Sequence, residues 1–162
     1  MSPYETISIA LQAFIGIAAF STLFVYHRQL RVMSAQLSAM QGSFRAQSGL
    51  SLVAFLQAPE VRDARQVVRE VLSTKALAEW TPEERRSASL VVANYDVAGA
   101  LIRAGLAPVE LIADNWGPSI RHCHQVLEPF IEESRNRPGG SPRYWSNFSW
   151  LCAEASRAQN AR

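Results

Sequence analysis

The chain has 162 residues, of which 48% are hydrophobic and 19% charged, with a formal net charge of +2. That hydrophobic share excludes an intrinsically disordered chain, and two cysteines exclude a disulfide scaffold. From Pro59 onward acids and bases balance at thirteen each, so the excess comes from Arg28, Arg31 and Arg45 against Glu5; a balanced domain has no phosphate-binding footprint, which makes nucleic acid an unlikely partner.

Ile7 to Tyr26 is a run without charge, ISIALQAFIGIAAFSTLFVY. A helix of that length spans roughly 30 Å, the thickness of a bilayer's hydrocarbon core. The run predicts a transmembrane helix, with Ile7, Phe14 and Phe20 in its body and Tyr26 at interface depth. Arg28 and Arg31 follow directly. By the positive-inside rule they place the C-terminal side in the cytoplasm and the N-terminus outside. The lipid bilayer is then a partner, and the expected location is a bacterial inner membrane.

Leu30, Met33, Leu37, Met40 and Phe44 recur at alternating spacings of three and four, a heptad seam. The stripe either packs on the rest of its own chain or pairs two chains as a homodimer. Gly42 and Gly49 weaken a rigid stalk. The helix is expected to reach about Gln47, with a helical turn or two over Leu50 to Gln57.

Ala58-Pro59-Glu60 reads as a helix start, with Val61, Ala64, Val68, Val71 and Leu72 as its buried stripe. Thr81-Pro82-Glu83-Glu84 is a capping box. It opens a helix to about Ala104, with Gly105 as the C-terminal cap. Ala88, Val91, Val92, Tyr95, Ala98 and Ile102 form one apolar face; Leu90, Val97 and Leu101 form a second. Ala107-Pro108-Val109-Glu110 opens the next helix. Trp116-Gly117-Pro118 is expected to break or kink it, and Pro129 to kink it again. Asn136 to Ser141 is a loop by composition. Ser141-Pro142 is expected to begin the last helix, with Tyr144, Phe148 and Leu151 buried, Trp145 and Trp150 facing outward, and fraying after Ala155.

Candidate chemistry is sparse. His122 and His124 are two apart and diverge by about 200° on a helix, so they cannot share an ion. No closed metal-ligand set and no phosphate-binding, dinucleotide or nucleophile-elbow pattern occurs in the sequence. The reading assigns no catalytic, metal or cofactor residues. Arg65, Asp96, Asp114 and Arg121 are candidates for structural ion pairs that orient helices.

In order, the chain shows an apolar start, then A-P-E-V-R-D-A-R, N-Y-D-V-A-G-A-L-I-R-A-G, W-x-x-S-I, L-E-P-F-I-E-E-S-R and Y-W-S-N-F-S-W-L. This resembles a family of short bacterial proteins known as a domain of unknown function. The resemblance covers roughly Ile7 to Ala155 and implies one N-terminal transmembrane helix plus a small helical domain. It implies no activity.

The expected fold is all-α: a transmembrane helix continuing into a juxtamembrane helix, then a bundle of about four or five helices. The divisions are residues 1–27, 28–58 and 59–162. The expected function is a membrane-tethered, non-enzymatic interaction or regulatory module with an unknown protein partner. The rival is a membrane-anchored enzyme acting on a lipid or small molecule near Asp96, Asp114 and His124.

Overall fold

The computed structural model describes residues 3–160; the side chains at 5, 6, 8–10 and 13 lie outside the described residues. The described residues form five α-helices: α1 (Pro3–Leu56), α2 (Pro59–Glu70), α3 (Pro82–Arg103), α4 (Val109–Asn136) and α5 (Ser146–Asn160). Two 3₁₀ turns, Leu72–Thr74 and Leu77–Glu79, join α2 to α3. The chain divides into two compact units, Met1–Phe44 and Arg45–Arg162.

The described residues of the first unit are helix alone. Its side chains from Phe14 to Phe44 stand exposed. The expected transmembrane element is corrected here: among the described residues no helix is long and apolar enough to cross a membrane. Beyond Phe20 the helix carries Ser21, Thr22, His27, Arg28, Gln29 and Arg31 among its apolar side chains. Of the expected span, the side chains of Ser8, Ile9, Ala10 and Ala13 lie outside what the structure describes. Ile7, Phe14, Phe20 and Tyr26 are exposed on α1, as are Arg28 and Arg31. Thr22 donates its hydroxyl to the Ala18 carbonyl at 2.8 Å, satisfying itself on its own helix.

α1 does not stop near Gln47 but runs on to Leu56, absorbing the apolar stretch after Leu50. Leu52 and Leu56 are buried in the core of the second unit, and that burial outweighs the modest propensity cost of a glycine at 49. The helix ends where the chain must turn extended before Pro59, with Ala58 at ψ 134°.

The second unit packs α2–α5 around one core. Pro59 occupies the first turn of α2, and Val61, Ala64, Val68 and Leu72 are buried as the periodicity predicts, while Val71 is half-buried. Thr81 forms the capping box: its hydroxyl accepts the Glu84 amide at 3.2 Å, and the Glu84 carboxylate accepts the Thr81 amide at 2.9 Å. Glu84 also accepts from Lys75 Nζ at 2.6 Å; hydrogen bonding by Lys75 and then by the Thr81 amide lowers its carboxyl below the usual range. All six residues of the first α3 face are buried. On the second face Val97 is exposed and Leu90 and Leu101 are half-buried. At the end of α3, Gly105 adopts φ 74°, its amide bonds the Ile102 carbonyl and the Leu106 amide bonds that of Leu101. That pair of bonds is a Schellman closure.

α4 is one helix containing both Pro118 and Pro129, rather than a helix broken at Trp116-Gly117-Pro118. Each proline forfeits one backbone bond. The buried stripe Ile112, Trp116, Ile120, Cys123, Leu127 and Ile131 keeps the segment helical across both.

Candidate functional site

The densest polar organisation in the second unit surrounds the beginning of α5. Three residues of α3 at helical spacing, Asp96, Gly99 and Arg103, face it. Asp96 Oδ1 accepts the backbone amides of Asn147 at 2.9 Å and Phe148 at 3.0 Å. Asp96 Oδ2 accepts the Asn147 side-chain amide at 3.2 Å. Asn147 Oδ1 in turn accepts from Arg103 at 3.0 Å, and the Arg103 guanidinium lies 5.5 Å from the Trp150 ring centroid. A first-turn amide of a helix has no intrahelical acceptor, and a carboxylate there also meets the positive end of the helix dipole. Asp96 supplies from a distant helix what an N-cap residue supplies locally.

Gly99 allows this approach. A Cβ at that position would fall against the Asn147 carbonyl oxygen and 2.9 Å from its carbonyl carbon. Only a residue without a side chain lets the two backbones come so near.

The opposite side of the joint comes from α4. Phe148 is fully buried between the Tyr95 ring, stacked at 5.2 Å, and the His124 ring, edge-on at 5.0 Å. His124 Nε2 lies 3.2 Å from Ser149 Oγ, and Arg135 donates to the same hydroxyl at 3.2 Å and to the Tyr144 carbonyl at 3.0 Å. Burial lowers the basicity of His124 below its ordinary value; Glu128 opposes and Arg135 reinforces the shift.

These contacts move the start of α5 from the expected Ser141-Pro142 to Ser146. Trp145, immediately before it, adopts φ 61° and turns the chain into the helix. The aromatic assignment changes accordingly. Phe148 and Leu151 are buried, Tyr144 is exposed, and Trp145 and Trp150 are half-buried instead of forming an outward pair. Residues 144 and 145 precede the helix, so its three-and-four spacing does not govern them. α5 also extends past Ala155 to Asn160, with Ala155 buried and its carbonyl accepting from Arg121 at 2.9 Å.

The four candidate ion-pair residues sit in different surroundings. Asp96 is the cap just described. Arg65 is buried on α2, its guanidinium 6.0 Å from the Tyr95 ring centroid and its Nη1 without a hydrogen-bond partner. Tyr95 shares a hydrogen bond with Ser119 at 3.1 Å, and burial pushes its phenol up. Asp114 and Arg121 line a groove of about 140 Å³ with Ala113, Pro118, Ala155 and Gln159. A second groove of about 350 Å³ lies between Gly49 and Leu111 and is apolar except for Arg45.

A carboxylate that caps a helix and an imidazole held against a buried ring hold secondary structure in place. Asp96 and His124 both border Phe148, while Asp114 lines the groove beside Arg121. Among the described residues no group of three or more His, Cys, Asp or Glu side chains converges to hold a metal ion. The sequence reading missed Asn147, Ser149 and Arg135. Its available signal was the Ser-Asn pair at 146–147, two residue types that favour helix starts.

Fold and joint together define an all-α domain whose polar signature is a helix-to-helix capping joint. The joint draws on Asp96, Gly99 and Arg103 of α3, on His124 and Arg135 of α4 and on Tyr144 to Trp150 at the start of α5. The chain belongs to the DUF4760 family, a domain of unknown function, whose profile matches residues 6–155. No curated protein and no solved structure matches the chain.

Proposed function

We propose that the chain is a non-enzymatic helical interaction module. The observation that carries this reading is the row Leu30, Met33, Leu37, Met40 and Phe44 on α1, each more than half exposed. An exposed heptad row of large apolar side chains is an interface without its partner. The polar side chains of the second unit support the same reading, because Asp96, Asn147, Arg103, Ser149 and Arg135 are engaged in joining helices. The unit is a folded body, and α1 is the element that binds.

The test is a photo-crosslinking amino acid placed at Leu37, or at Arg31 as the off-seam control, in the full chain expressed in cells. A covalent adduct from position 37 and none from 31 is the expected result. No adduct from either position overturns the reading.

A further inference from the structure

Resting on that reading, we infer that the partner of α1 is a second copy of the same chain, paired along a seam of four heptads rather than two. With Leu30, Leu37 and Phe44 at position a and Met33 and Met40 at d, the same register continues upward without a break. Tyr26 falls at d, Leu23 at a, Ala19 at d and Gly16 at a. Every a and d position from 16 to 44 is therefore apolar or small. The larger of these side chains, from Leu23 to Phe44, are 54% to 68% exposed. Two heptads are too few to specify a coiled coil; from 16 to 26 most other positions are apolar as well, so Leu30 to Phe44 set the register and the upper heptads lengthen it. This seam is about 43 Å of helix.

The flanking positions are compatible with a second copy. Charges at e and g choose partners in helix pairs, by attraction to the right one and repulsion of the wrong one. Between 16 and 44 no Arg, Lys, Asp or Glu stands at e or g; the g positions are Thr22, Gln29, Gln36 and Ser43, and the e positions are Phe20, His27, Ser34 and Gln41. The basic residues fall elsewhere in the register, Arg28 at f and Arg31 and Arg45 at b. Two identical basic helices can thus lie seam to seam without opposing one arginine to another. Nothing along the flanks provides the charge complement that would select a foreign helix.

The experiment is sedimentation equilibrium on the purified full chain, wild type against Leu37→Glu, Leu37→Ser and Val32→Glu. Val32 is also apolar and about half exposed, at 51%, but stands at position c, off the seam. A wild-type dimer is expected, with its dissociation constant raised about 100-fold by a carboxylate buried at a in both copies. Leu37→Ser should weaken it in the same direction, and Val32→Glu should leave it within about threefold, since a c position faces solvent. Raising salt should leave the wild-type constant nearly unchanged, because no charged pair crosses the seam. A wild-type chain that stays monomeric at tens of micromolar overturns self-pairing; if Leu37 nevertheless crosslinks to another protein in cells, the interaction reading stands and a foreign helix is the occupant. Equal weakening by Val32→Glu and Leu37→Glu overturns the register.

Discussion

The carboxylate of Asp96 and the backbone amide of Phe148 meet at 3.0 Å across 52 positions of sequence. The bond joins the middle of α3 to the first turn of α5, and the Phe148 side chain completes the joint by filling the space between Tyr95 and His124. Backbone satisfaction and core packing thus converge on one residue of α5.

Asp96→Ala should lower the stability of the second unit by about 1–2 kcal/mol, since it orphans two first-turn amides and an asparagine side chain. Asp96→Asn keeps an acceptor and should lose less. Urea denaturation followed by far-UV ellipticity measures both. Identical midpoints for wild type and Asp96→Ala would exclude the capping role.

Gly99→Ala and Gly42→Ala should have opposite signs. Both replace a helical glycine with the best helix former, worth about 1 kcal/mol in isolation. At Gly42 nothing lies within 4 Å of the added carbon, so the gain is realised. At Gly99 the carbon meets the Asn147 backbone, so α3 and α5 must separate, at a cost of about 1–3 kcal/mol. Amide hydrogen exchange in α1 for Gly42→Ala, and in the α3–α5 joint for Gly99→Ala, reads each effect locally. Slower exchange at the joint of Gly99→Ala would contradict the packing argument.

What the sequence carried and what it hid follow from the range of the forces involved. The start of α2 at Pro59, the Thr81 box and the Gly105 closure depend on residues within four or five positions, and all three stand as predicted. The buried face of α3 was legible because helical periodicity alone sets it. The start of α5 was not legible: its cap comes from α3, and no local pattern announces a cap supplied from another helix. At Trp116-Gly117-Pro118 the break did not follow, since a buried stripe along the whole of α4 outweighs a local breaker. The apolar start was read from an uncharged run and its flanking arginines, and among the described residues no helix is long and apolar enough to cross a membrane.

Acidification should destabilise the second unit through His124. Burial depresses the imidazole's affinity for a proton in the folded chain, so the unfolded chain binds protons more readily. Stability from this group is fully present above the unfolded value of about 6.5 and is lost as pH falls below it toward the folded value. A proton on His124 would also face the Arg135 guanidinium, which shares the Ser149 hydroxyl. Melting temperatures between pH 7.5 and 5 should fall more steeply for wild type than for His124→Gln. Parallel slopes would remove His124 as the source.

The two thiols should report the same joint by their accessibility. Cys123 on α4 is fully buried and Cys152 on α5 half-buried, and burial raises both thiols above their ordinary value. A thiol is slow to react until it is deprotonated and reached by reagent. At pH 8 a maleimide should modify Cys152 first, while Cys123 waits for the core to open. Labelling of Cys123 then measures the free energy of opening. Asp96→Ala should accelerate it about tenfold for each 1.4 kcal/mol of stability lost, and the gain should match the urea midpoint shift. If Cys123 labels as fast in wild type as in Asp96→Ala, core opening does not pass through the α3–α5 joint.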